Sequence, residues 1–272
     1  MVPEATVRDR CSHGGETALI TGASAGIGRE LARVFARHGF GLVLVARSQE
    51  KLEALARDLA LEHAIRADAI AMDLGKPDAP ARLFDDVARL GRRVDVLVND
   101  AGLMEFGAFA TTEPDRLAGM IALNVGATTA LTRLFLEPML QAGRGRVLNL
   151  ASLASFLPLP SVAVYAATKA YILSLSEALS EELRGTGVSV TVCAPGFTDT
   201  HMAHQIEGID RLVGIAPLWD PAQIAREAYD ACMAGEVMNV PGVANRVAVH
   251  LLALQPRWLL RRLSGAVARR LL

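Results

Sequence analysis

Thr17-Ala-Leu-Ile-Thr-Gly-Ala-Ser-Ala-Gly-Ile-Gly28, running on into Arg29-Glu-Leu-Ala-Arg-Val-Phe35, decides the fold of this chain. A short apolar strand pattern over 17–20 breaks at Thr21-Gly22, and Leu31, Val34 and Phe35 then recur at helical spacing up to a glycine stop at His38-Gly39. A turn without Cβ atoms between strand and helix lets a pyrophosphate approach the backbone. The helix start then offers it free N–H groups and the positive end of a dipole. A glycine-rich turn with no ligand is the plainer alternative. The lysine of a phosphate-gripping nucleoside triphosphatase is missing, which argues against ATP.

The same alternation continues outward. Strand patterns fall at 41–46, 67–72, 94–98, 146–150, 188–193 and 236–240. Between them lie a helix capped by Ser48 and carrying Leu52, Leu55 and Leu59, then helices at 79–90 and from about 113 to 137. A further helix runs through Tyr165 to about 183, and another begins at Asp220-Pro221. Strands alternating with helices predict one α/β domain: a doubly wound parallel sheet, the Rossmann fold, over 17–245. A polar leader at 1–16 precedes it and a basic, leucine-rich extension at 246–272 follows.

Composition narrows the class. The 272 residues are 51% apolar and 21% charged, ordinary for a soluble domain, and a net charge of −1 argues against a nucleic-acid partner. Cys11, Cys193 and Cys232 form no Cys-x-x-Cys pair, which fits a reducing, cytoplasmic compartment. The leader has no apolar run of the secretory kind, and no uninterrupted apolar window is long enough to predict a membrane span. The tail differs: from Gly242 to Leu272 there are six arginines and no acid. Pro256 breaks any single helix there, so the extension either packs on the body or a partner subunit, or touches an anionic membrane surface.

Tyr165 and Lys169, four residues apart, share a helix face, and Ser152 lies upstream at the end of a strand, where open α/β sheets gather ligands. Such a pair alone is more often an incidental feature of an amphipathic helix. An ammonium one turn away favours the phenolate, as would a positively charged nicotinamide ring beside it, and the two cations together should lower the tyrosine pKa. At the end of the second strand Val45-Ala46-Arg47 holds no acid to bind a ribose 2′-hydroxyl, and a guanidinium there suits a 2′-phosphate. That favours NADP(H) over NAD(H), with a solvated Arg47 as the alternative.

Taken together, Thr21-Gly22-x-x-x-Gly26-x-Gly28, Asn99-Asp100-Ala101-Gly102, Ser152 with Tyr165-x-x-x-Lys169, and Pro195-Gly196 resemble the short-chain dehydrogenase/reductase family in its shorter single-domain form. The resemblance covers roughly residues 16–245. It implies that Tyr165 exchanges a proton with a carbonyl or alcohol oxygen and that Ser152 orients that oxygen. Lys169 tunes the phenol and holds the nicotinamide ribose, and Asn124 holds a relay water. Ser155 is a rival for the serine, and a helix-kink role is the alternative for Asn124.

The resemblance further implies cofactor contacts from Gly22, Ser24, Gly26, Ile27 and Gly28, and from Asp73 and Leu74 beside the adenine. Asn99, Ala101 and Gly102 join them, with Asp100 a mild departure from the family's second asparagine, as do Pro195, Gly196, Thr198 and Thr200 at the nicotinamide carboxamide. The expected reaction interconverts a ketone and a secondary alcohol, in a homodimer or homotetramer. Phe156, Leu157, Leu159, Ile215 and Trp219, in loops 153–160 and 197–220, suggest a hydrophobic small molecule: a steroid, retinoid, fatty or xenobiotic carbonyl. A non-catalytic NADP(H)-binding sensor on the same fold is the alternative. The epimerases and dehydratases among the longer relatives are disfavoured by the glycine spacing. His201 and His204 lack the helical spacing of a zinc pair, so no metal is expected.

Overall fold

The computed structural model describes residues 15–200 and 218–271, with the side chains of 253 and 267–271 left aside. The first half runs β1 (Thr17–Thr21), α1 (Gly26–Arg37), β2 (Gly41–Ala46), α2 (Gln49–His63), β3 (Ala67–Ala71), α3 (Ala79–Arg89) and β4 (Val96–Asn99). The second half runs α4 (Pro114–Ile121), α5 (Thr128–Ala142), β5 (Gly145–Leu150), α6 (Ala163–Glu182), β6 (Val188–Cys193), α7 (Pro221–Ala234), β7 (Met238–Asn239), α8 (Val243–Ala253) and α9 (Arg257–Leu271).

All seven strands are parallel, in the order β3-β2-β1-β4-β5-β6-β7. Successive strand residues point to opposite faces. Ala18, Ile20, Leu42 and Leu44 meet Leu31 and Phe35 of α1, Leu52 of α2 and Ile224 of α7. On the other face Leu19, Val43, Val45 and Leu97 meet Leu83 of α3 and Leu131 and Phe135 of α5. Burying each such side chain contributes about 1.5–3 kcal/mol, which is why these strands read as continuous apolar runs. The strand order reverses between β1 and β4, so the turns after those two strands open side by side at one edge.

Several local expectations shift. β4 runs from Val96, two residues later than expected, although the Asp95 backbone already bonds Thr17 O and Arg146 N, each at 2.9 Å; the Asp95 carboxylate accepts the Thr17 N–H at 3.0 Å and pairs with Arg93. The long helix does not end at 137. It carries Pro138 inside α5 and stops only at Gly143, whose φ of +61° closes the C-terminus. Between α4 and α5, Ala122–Ala127 is a π-helical segment. This continuous helix, Pro114–Ala142, is long and apolar enough to cross a membrane by length and composition, yet Leu131, Phe135 and Met139 are buried against the sheet. Ser48 stands at the start of α2 without a capping bond from its hydroxyl.

The extension forms two helices separated around Pro256. The expected boundary at 245/246 falls inside α8, which packs on the body through Val249. In α9 Leu260 is buried and the Ser264 hydroxyl donates to Pro158 O at 2.6 Å. Residues 1–14, with most of the leader and Cys11, and residues 201–217, with His201, His204 and Ile215, lie outside the described residues.

Candidate active site

Thr21, Gly22 and the start of α1 form one wall of the cleft. The Thr21 hydroxyl donates to Val98 O at 3.1 Å and accepts the Asp100 and Ala101 N–H groups, each at 3.1 Å, so one buried side chain joins the two strand ends. Gly22 has φ +72° and Gly26 φ +57°, values that favour glycine. A Cβ on Gly28 would come within 2.5 Å of an Asp100 carboxylate oxygen and 2.6 Å of Gly22 O. Ser24 and Ile27 are half-buried in the same turn, and Ile27 packs on the core. This close-approach cradle fits a dinucleotide pyrophosphate.

Around the cradle, Arg47 is exposed just beyond β2, with no ion-pair partner among the described residues. Asp73 is exposed and accepts the Gly75 N–H at 3.1 Å, while Leu74 is buried. Pro195 O accepts the Leu153 N–H at 2.9 Å, which ties the β6 turn to the segment after Ser152. Thr198 donates to Gly196 O at 3.0 Å, and Thr200 lies against Gly26.

The opposite wall is α6. Its Lys169 is buried, donates to Leu150 O at 2.6 Å, and sits 5.8 Å from the centre of the Tyr165 ring. Ser152 is at the start of a 3-10 turn, Leu153–Phe156, where its hydroxyl accepts the Ala154 N–H at 3.1 Å. That leaves its own hydrogen free to donate, and it interacts with the Tyr165 phenol. The rival Ser155 has a buried hydroxyl with no partner among the described residues and no role in this group. Asn124 occupies the π-helical segment. It bonds both Leu103 N (2.8 Å) and Leu103 O (2.9 Å), and donates to Thr168 at 3.0 Å. Thr168 in turn donates to the Tyr165 carbonyl at 2.7 Å.

Three expectations need correction. The tyrosine pKa is raised, not lowered: burial pushes it up, the hydrogen bond with Ser152 pulls it down, and the Asp100 carboxylate pushes it up again. Asn99 does not turn its side chain to the cleft. Its amide donates inward to Thr132 (3.1 Å) and Asn149 (2.9 Å), and Asn149 continues to Ser176 at 2.9 Å. This buried polar ladder braces β4 and β5 against α5 and α6. Trp219, expected at a substrate loop, packs on the first core cluster and over Gly242.

Asp100 is the residue whose weight the sequence understated. Its carboxylate lies against Gly22 and Gly28, accepts the Gly28 N–H and faces Lys169. Burial raises its pKa from 3.8 to about 7, opposed by Lys169 and by the Gly28 bond. Burial lowers Lys169 to about 8, opposed by Asp100. The only sequence signal was an acid where the family pattern has an amide. Asn245 of α8 was also missed; it lies against Gly196 and donates to Pro241 O at 2.8 Å.

Such a group can bind a carbonyl oxygen between a hydroxyl and a phenol and exchange a proton with it. Comparison with known proteins bears on that chemistry. The short chain dehydrogenase family model matches residues 16–209. The very-long-chain 3-oxoacyl-CoA reductase of Homo sapiens is 32% identical over 193 residues, covering 70% of this chain and 61% of that protein. A very-long-chain 3-oxoacyl-CoA reductase-like protein of Arabidopsis thaliana is 34% identical, covering 72% and 64%. This chain thus spans about three fifths of the length of these curated relatives. Among solved structures, a short-chain dehydrogenase from Sphingobium yanoikuyae in complex with NADPH is 31% identical with a TM-score of 0.80, covering 88% of this chain and 92% of that one. A 7beta-hydroxysteroid dehydrogenase is 27% identical with a TM-score of 0.83, covering 93% and 97%.

Proposed function

This chain belongs to the short-chain dehydrogenase family, and on that premise we propose that it is an NADP(H)-dependent oxidoreductase interconverting a ketone and a secondary alcohol on a hydrophobic small molecule. The observation that carries the reading is the convergence of Ser152, Tyr165, Lys169 and Asn124 at the edge where the Gly22–Gly28 cradle opens. The cradle would hold the pyrophosphate and the exposed Arg47 guanidinium a 2′-phosphate, with Pro195–Thr200 beside the nicotinamide. A bound NADPH would supply the hydride.

The chain's own residues handle the oxygen. The Ser152 hydroxyl polarises and orients the carbonyl. Tyr165 donates the proton as the alkoxide forms, and in the reverse direction its phenolate removes it. Lys169, held by Leu150 O, keeps positive charge beside the phenol, and Asn124 fixes the Leu103 backbone and Thr168 next to it. Phe156, Leu157 and Leu159, half-buried in the segment after Ser152, give that segment an apolar character, with Phe156 packed on the cluster of Ala151, Ile172 and Val249, in keeping with the fatty-acyl and steroid carbonyls in the names of the relatives.

A homo-oligomer is consistent with an apolar groove of about 320 Å³ along Ile121, Val125, Ala163, Val164, Ala167 and Thr168. The buried free thiols of Cys193 and Cys232 are consistent with a reducing, cytoplasmic setting.

The test is NADPH oxidation against long-chain 3-oxoacyl thioesters, steroids and aryl ketones with the wild type and Tyr165→Phe. The variant should bind NADPH normally, read by cofactor fluorescence, while turnover falls by about 100-fold or more. Equal rates in the two proteins would refute the mechanism.

A further inference from the structure

Exposed large apolar side chains gather on the two C-terminal helices. On α8, Val243, Val247 and Leu251 follow one another at four-residue intervals with 68%, 54% and 57% exposure, opposite the buried Val249. Leu254, at the break, and Trp258 and Leu263 on α9 are exposed as well. Val243–Leu252 is apolar but too short to span a bilayer. Arginines are interleaved with this surface. Arg246, Arg257, Arg261 and Arg262 are all exposed, and none has an ion-pair partner among the described residues. The Arg262 guanidinium lies 5.7 Å from the centre of the Trp258 ring.

We propose that α8 and α9 form a docking face for an anionic lipid bilayer. Charge selects the occupant. A second copy meeting this face about a two-fold axis would set the same unpaired arginines against one another. Lipid phosphates and carboxylates neutralise them, while the apolar side chains and the indole enter the boundary between headgroups and chains. The bland apolar groove on α4 and α6 carries no such charge excess and suits a second copy better.

The position of the face gives it a consequence, which rests on the proposed reaction. α8 packs on Leu153–Phe156, the segment directly after Ser152, and Ser264 of α9 holds Pro158 O at 2.6 Å. The docked helices therefore adjoin the segment that follows Ser152, and a carbonyl compound dissolved in the bilayer would reach Ser152 without crossing bulk water.

The experiment is co-sedimentation of the full chain with vesicles of phosphatidylcholine alone and of phosphatidylcholine with phosphatidylserine. Light scattering is recorded in parallel without lipid. Binding should require phosphatidylserine, weaken with added salt, and shift tryptophan emission to the blue in the wild type but not in Trp258→Phe. The triple variant Arg257→Glu/Arg261→Glu/Arg262→Glu should bind about 100-fold more weakly while ketone turnover without vesicles is unchanged. Equal binding to both vesicle types, no binding to either, or unaltered binding by the triple variant overturns the proposal. So does a change in molar mass of that variant with lipid binding intact, which would make the face an interface between copies. Absence of ketone turnover in the wild type would count against the proposed reaction and leave lipid docking standing.

Discussion

Asp100→Asn replaces a buried carboxyl with its nearest uncharged isostere, and it should remove a fall in stability between about pH 5 and pH 7. Burial pushes the Asp100 carboxyl up to about 7, against 3.8 for the free side chain. A carboxyl whose folded pKa is raised contributes stability that is fully present below the unfolded value. That stability is lost as pH rises through the folded one. The limiting slope is about 1.4 kcal/mol per pH unit, so the wild type should lose up to about 3 kcal/mol across this window that the variant keeps. Lys169 acts higher. Its pKa is lowered to about 8, so its penalty is present below that pH and is relieved as pH rises toward 10.5. The assay is urea unfolding of both proteins in small pH steps, with one curve subtracted from the other so that surface carboxylates cancel. Parallel curves would mean that Asp100 is ionised throughout, and the reading of the Asp100–Lys169 pair would fall.

Removing the Asp100 charge should also lower the Tyr165 pKa, since that carboxylate raises it; the basic limb of the alcohol-oxidation profile should move to lower pH in Asp100→Asn. Gly28→Ala puts a methyl within 2.5 Å of Asp100 and 2.6 Å of Gly22 O. Calorimetry should show a loss of about 1–3 kcal/mol, with NADPH fluorescence titration weakened in step. Arg47→Glu should weaken NADPH binding by about 10- to 100-fold while leaving NADH nearly untouched, a ratio read from two titrations; equal effects on both would deny the 2′-phosphate contact. Asn149→Ala leaves the Asn99 amide and Ser176 short of a partner and should cost about 1–3 kcal/mol in denaturant unfolding, more than an exposed asparagine-to-alanine change.

What could be read from the chain in order was set by local chemistry. Apolar runs such as Leu42–Val45 announce strands buried on both faces, and Gly22 and Gly26 announce backbone angles that other residues resist. The four-residue interval from Tyr165 to Lys169 needs nothing beyond helix geometry. Element ends were less legible because they depend on partners far away: the Asp95 carboxylate at the edge of β4 is spent on Thr17, and Pro138 is carried through because the helix around it is packed on the sheet.

By itself, then, the sequence determined the parallel sheet, the glycine cradle and the serine, tyrosine and lysine that face it, because each follows from a short window of residues. Only the tertiary structure decided that Asn99 turns inward to Asn149 while its neighbour Asp100 turns to Gly28 and Lys169, and that the tyrosine pKa rises. The strand order sets β4 next to β1, and α6, packed on β5 and β6, brings Lys169 to the same edge. In that small, dry volume, burial outweighs the pull of a single ammonium whose charge is already shared with a carboxylate. No spacing along the chain encodes that balance, because it arises from groups brought together across the sheet edge.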